Sequence, residues 1–147
     1  MSDQIDHFPL EEFRCKDGTP YPAEWEHTRL PDLKRLLERI RLAAGEHPVT
    51  VLCGYRTVEY NQKLRDRGLQ GESHITGVAL HSQHTEGRAA DVTVFGMDPR
   101  VLHGIVMQQW EQGHLPELGG IGKYERLGFV HVDTWKLASG ELRRWNG

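Results

Sequence analysis

Cysteine is scarce in this chain. Its 147 residues hold two, Cys15 and Cys53, and these form no Cys-x-x-Cys pair. A thiolate zinc site needs cysteines paired at short spacing, so that class is set aside. Two free, mostly buried thiols are expected instead of a disulfide. Long apolar runs are absent too, and no stretch reaches the roughly 20 residues of a membrane-spanning helix. The first residues, Met-Ser-Asp-Gln-Ile-Asp-His, lack the basic start and apolar run of a secretory signal. As written, the chain is expected to remain in the cytoplasm. There is no excess of positive charge either. The formal net charge is −3 and the isoelectric point about 6.3, which argues against nucleic acid as a partner. Internal repeats, low-complexity segments and linkers are also missing. One domain over residues 1–147, working as a monomer, is the expectation.

What is present points to a loop-rich fold. There are sixteen glycines and seven prolines. Leu33, Leu36, Leu37, Ile40 and Ala44 recur at helical spacing. Pro31 suits the first turn of that helix and Gly45 its stop. Val49-Thr50-Val51-Leu52-Cys53 reads as a buried strand. Thr57 can cap a second helix from Val58 to about Arg67, closed by Gly68. Residues Gln70 to Ala79 are polar and without period, as in a mobile surface loop. Asp98-Pro99 starts a third helix that ends near Gly113. Gly119-Gly120-Ile121-Gly122-Lys123-Tyr124 lacks the Gly-Lys-Ser/Thr ending of a phosphate loop, so a tight turn or short strand is expected there. The order predicts an α+β fold, a small and mainly antiparallel sheet packed against helices on one face.

The chemistry concentrates between His81 and Val94. His84 and Asp91 are good ligands for a divalent metal, seven residues apart. Fully extended, seven residues span roughly 23 Å, so the chain must double back, and Gly87 can allow it. Val92 and Val94 then alternate as a half-buried strand, leaving Asp91 on the other face. Phe129-Val130-His131-Val132-Asp133 alternates likewise, with His131 and Asp133 opposite the valines. His84, Asp91 and His131 can therefore meet. Two imidazoles and one carboxylate leave a fourth position open, as in catalytic zinc sites. His81, three residues before His84, is the competing ligand. His74, His103, His114 and Glu86 are expected at the surface.

These residues together resemble the zinc D-Ala-D-Ala carboxypeptidase family of metallopeptidases, which shares its fold with the hedgehog signalling domain. Ser82 to Asp91 is similar to the family's Ser-x-His-x-x-Gly-x-Ala-x-Asp, and Cys53-Gly54-Tyr55-Arg56 to its Ser-Gly-Tyr-Arg. The glycine run before Tyr124, the Phe-Val-His-Val-Asp segment and Phe8 to Cys15 also fit. The resemblance implies zinc held by His84, Asp91 and His131, and a peptidoglycan peptide as substrate. The target is a terminal D-alanine or a cross-link. It implies that Arg56 anchors the substrate, as suits a guanidinium facing a carboxylate, and that Ser82 lies near it. Tyr124 is placed with the substrate-binding residues. For Tyr124 and Trp145 alike, the choice is between lining the cleft and simple packing. Several family members carry a general base three residues before the last histidine. Here that residue is Gly128, so Asp133, on the strand face of His131, is the candidate base. Action at the cell wall would need lysis or a removed export signal. The rival readings are a zinc-stabilised domain that binds without catalysis, and a phage lysis or structural component.

Overall fold

The computed structural model describes residues 5–70, 78–79 and 81–147. Most of the loop expected at 70–79, and with it His74, lies outside the described residues. Two short 3-10 turns, Leu10–Phe13 and Ala23–Trp25, precede the first helix, α1, Leu30–Ala43. Pro31 sits in its first turn, and Gly45 follows it at φ +89°. One face of α1, Leu30, Leu33, Leu36, Leu37 and Ile40, is buried. Strand β1 spans Val49–Cys53 and helix α2 Val58–Leu69. Thr57 caps α2 by accepting a hydrogen bond from the Tyr60 N–H at 3.0 Å. Gly68 was expected to end this helix, yet it lies inside the last turn. The chain leaves through Gln70, whose N–H donates back to the Asp66 and Arg67 carbonyls.

Strand β2 is Ala89–Val94 and helix α3 Pro99–Glu111, with Asp98 as its cap. The glycine run forms strand β3, Gly120–Tyr124. Strand β4 is Phe129–Asp133, and Arg143–Asn146 adds a fifth, β5. The sheet order is β1-β2-β4-β3-β5. All pairs are antiparallel except β3 with β5, which run parallel. The expected α+β class and mainly antiparallel sheet are therefore present. Among the described residues, no helix is long and apolar enough to cross a membrane. Both cysteines are free thiols.

The two faces of the sheet divide the labour. Ala90, Val92, Val94, Val130, Val132 and Ile121 point to a core that they share with α1 and α3. Burying one such side chain fully stabilises the fold by about 1.5–3 kcal/mol. The other face carries Asp91, His131 and Asp133. Helix α2 belongs to that side, since Tyr60 and Leu64 line one cleft together with these residues. Two helices, not three, thus cover the core face.

Candidate metal centre

The site is one row of residues across the sheet. Cys53 pairs with Asp91, Asp91 with His131, His131 with Gly122, and Gly122 with Trp145. An irregularity in β1 between Val51 and Cys53 shifts the register that sets Cys53 against Asp91. Two residues along, the neighbouring row runs Ala89, Asp133, Gly120, Arg143. Strand side chains repeat every two residues, so both rows project to the same face.

His84 reaches this row from the loop before β2. The loop folds on itself through four backbone bonds, from Thr85, Glu86, Gly87 and Arg88 back to Ser82, Gln83 and His84. The chain doubles back at Gly87, which has φ +66°. A side chain there would also place its Cβ 2.6 Å from the Trp25 ring. Tyr21 fastens the turn from below, its hydroxyl donating to the Gly87 carbonyl at 2.7 Å. Ser82, buried in the cleft wall, accepts the His84 N–H at 3.1 Å. The residue expected near the substrate therefore also shapes the ligand loop.

The three expected ligands converge. His84 Nε2 and His131 Nδ1 each lie 3.1 Å from the same oxygen, Asp91 Oδ1. Their other nitrogens are committed. His84 Nδ1 donates to the Gly54 carbonyl at 2.6 Å, and His131 Nε2 donates to Asp133 Oδ2 at 2.8 Å. In neutral rings with these tautomers, both remaining nitrogens present lone pairs to a carboxylate oxygen. Three acceptors then face one point, and the arrangement is stable only with positive charge between them. Protons supply it in the metal-free protein. Burial alone would favour a neutral His84, but the Asp91 and Cys53 charges outweigh it and hold the ring's pKa at about 10. Burial would likewise raise Asp91, yet His84 and His131 hold it far below the usual carboxylate range. A divalent cation fits the same point, because two donors on one tetrahedral zinc stand about 3.4 Å apart.

A second cluster overlaps the first. Donor atoms of Cys53, His84 and Asp91 lie within 4.8 Å of one another. The Cys53 sulfur stands 3.7 Å from His84 Nδ1, the nitrogen already held at 2.6 Å by Gly54. His131 instead approaches from the free side of the ring. The geometry therefore favours the two-histidine set as the metal-facing one.

Asp133 is on the strand face predicted for it. It is fully buried, behind His131. Oδ2 accepts from His131, while Oδ1 accepts from the Trp135 N–H at 3.1 Å and is ion-paired with Arg143. Both oxygens are engaged, Oδ2 by the His131 imidazole. Sequence reasoning gave Arg143 no role and left Trp145 between cleft lining and packing. Arg143 secures Asp133, and Trp145 both lines the cleft and lies against the His131 ring, at 5.0 Å between centroids. Glycines 120 and 122 make this possible. A Cβ on Gly120 would stand 2.6 Å from both Arg143 and Asp133, and one on Gly122 would enter the Trp145 ring. The sequence signal was the alternation of glycines in β3, two residues apart beneath two large residues two apart.

Arg56 opens the other wall. Its Nε donates to the Cys53 sulfur and one Nη to Asn61 Oδ1, both at 3.2 Å, and its other Nη lies 3.7 Å from Asp91 Oδ2. His81 is exposed and lines the cleft, without joining the ligands. Glu86 is exposed and faces Arg29 at 3.5 Å. His114 is exposed as expected, and His103 is half-buried. The cleft encloses about 680 Å³ and is lined by both polar and apolar side chains, Tyr60, Leu64, Phe129 and Trp145 among the latter.

The chain is similar to known proteins over most of its length. The chain is 33% identical over 117 residues to the peptidoglycan L,D-endopeptidases MepK of Escherichia coli K12 and of Shigella flexneri. The probable MepK of Haemophilus influenzae is 29% identical over 99 residues, 67% of this chain and 43% of that protein. The first two alignments cover 78% of this chain and 53% of the relative, so the chain spans about half the length of those curated proteins. A family profile matches residues 24–145, which include every residue of the two rows. A match of that breadth makes the chain a member of the family described as peptidoglycan L,D-endopeptidase MepK, metallopeptidases related to the D-Ala-D-Ala carboxypeptidases.

Proposed function

We propose that the protein is a zinc-dependent endopeptidase that hydrolyses peptide bonds in peptidoglycan cross-links. One observation carries the metal reading: a buried carboxylate oxygen 3.1 Å from two imidazole nitrogens whose partners are all used on their far sides. The names of the relatives favour an endopeptidase over the carboxypeptidase that the sequence motifs also allowed. His84, Asp91 and His131 would hold the zinc. Once bound, the ion supplies a water of lowered pKa and a Lewis acid for the scissile carbonyl.

The chain's own residues do the rest. Arg56 anchors a carboxylate or backbone carbonyl of the peptide, steadied by Asn61 and Cys53. Ser82 and Tyr124 line the bound peptide. Asp133 keeps the His131 proton on Nε2, so that Nδ1 stays free to bind. With Asp133 committed and Glu86 outside the cleft lining, His81 is the remaining histidine placed to accept a proton. In that role His81→Ala lowers kcat about 10²–10⁴-fold while zinc content holds; unchanged turnover rules it out.

A second reading rests on the carboxylates. Among the described residues lining the cleft they are Asp91 and Asp133, and both are engaged. A binding domain without catalysis would look the same. Digestion of purified peptidoglycan, with mass spectrometry of released muropeptides, separates the two. Cross-link cleavage that stops with chelator and returns with zinc is expected. Zinc-loaded protein that binds peptidoglycan and releases nothing would establish the binding domain.

A further inference from the structure

Tyr124 ends β3 two residues beyond Gly122 and so shares the site face. Its ring stacks on Phe129, centroids 4.6 Å apart and planes 12° from parallel. Its hydroxyl oxygen accepts the Trp145 indole N–H at 2.8 Å. An indole nitrogen only donates, so this bond uses a lone pair of the phenol and leaves its proton uncommitted. Among the described residues, no protein acceptor takes that proton. Both rings line the cleft beside His131, and Trp145 touches the His131 ring directly. The result is a fixed O–H donor with no partner, in the cleft that holds the proposed ligands. Burial raises the phenol's pKa further above neutrality, so the group remains a donor throughout the working range.

We propose that the Tyr124 hydroxyl donates a hydrogen bond to the scissile carbonyl oxygen as that carbon becomes tetrahedral, with Trp145 as the positioning residue. This rests on the peptidase reading above. No proton changes hands at Tyr124. The carbonyl π pair moves onto oxygen, the hydrogen bond shortens, and it relaxes when the C–N bond breaks and the carbonyl reforms. A donor fixed before the reaction needs no reorganisation as charge develops.

The test uses zinc-loaded protein and a purified cross-linked muropeptide dimer. Tyr124→Phe is expected to slow turnover about 10²–10³-fold, the scale for one oxyanion donor, with KM little changed. Zinc stoichiometry stays at the wild-type value. Trp145→Phe keeps a ring on His131 and removes the indole donor. It lowers kcat by a smaller factor, and lowers it no further in a Tyr124→Phe background. A rise in KM alone, an unchanged kcat, or a Trp145 effect of equal size in both backgrounds would overturn the proposal. If Tyr124→Phe fails to fold, the turnover rate measured for Trp145→Phe decides. Wild-type protein that leaves the dimer intact defeats the peptidase reading and takes this proposal with it. Active wild-type with an equally active Tyr124→Phe defeats this proposal alone.

Discussion

The two histidines of the site are held in different ways. His84 is fixed by backbone: its ring donates to the Gly54 carbonyl and its own N–H rests on Ser82. His131 is fixed by a chain of side chains, Asp133 and then Arg143, with Trp145 against the ring. A ligand held by main chain is insensitive to most single substitutions, because the carbonyl stays whatever the side chain. A ligand held by side chains can be loosened one atom at a time. The same imidazole chemistry therefore comes with two different vulnerabilities.

The largest effect removes the point both regions share. Asp91→Ala should abolish stoichiometric zinc binding, since two neutral imidazoles are left without their carboxylate. Elemental analysis that still finds one zinc per chain would remove Asp91 from the ligand set. Next comes the side-chain arm. Asp133→Asn should weaken zinc affinity about 10–100-fold, the usual scale for groups behind a metal-bound histidine. Zinc competition with a chromophoric chelator measures it. Turnover slowed about 10²–10⁴-fold with affinity intact would instead return Asp133 to the role of base.

The backbone arm yields only to a backbone clash. A Cβ at Gly54 would stand 2.8 Å from the Phe13 Cα. Gly54→Ala should therefore cost about 1–3 kcal/mol of stability, as overpacking does, and weaken zinc in parallel. Chemical denaturation with matched zinc titrations would show whether the two losses move together; affinity lost without stability would break the comparison. A milder change is Tyr21→Phe, which deletes the hydroxyl under Gly87. About 0.5–1.5 kcal/mol should be lost, with the metal site intact. The smallest effect is in acid. The Asp17 carboxylate accepts from the Thr19 N–H at 2.9 Å and from the Thr57 hydroxyl at 3.2 Å, and its pKa falls to about 2. A depressed carboxylate contributes its stability above the unfolded pKa, 3.8 here, and loses it as pH falls through the folded one. Amide shifts of Thr19 should therefore move with a midpoint near pH 2; a midpoint near 4 would show no such hold.

Much of this was legible beforehand. The alternation of Val92 and Val94, and of Val130 and Val132, placed Asp91 and His131 on one face, because period two is a strict geometric rule. Asp133 shows the limit of that rule. Sharing a face with His131 does not say which ring nitrogen it meets, and the rotamer decides between base and orienting group. Strand β5 was missed because Arg-Arg-Trp-Asn shows no apolar alternation and pairs in parallel with residues twenty-three positions earlier. The glycines of β3 became informative only once that pairing gave them something to accommodate. Gly68 misled for a simpler reason: glycine permits a helix stop but does not impose one.

The row that spans all five strands also joins distant parts of the chain. Cys53, Asp91 and His131 leave the ribosome before Arg143 and Trp145 do. Without β5 beside β3, His131 would lack its Arg143-secured carboxylate and its tryptophan wall. The centre takes its rigidity from a row whose ends lie ninety-two residues apart along the chain, from Cys53 to Trp145.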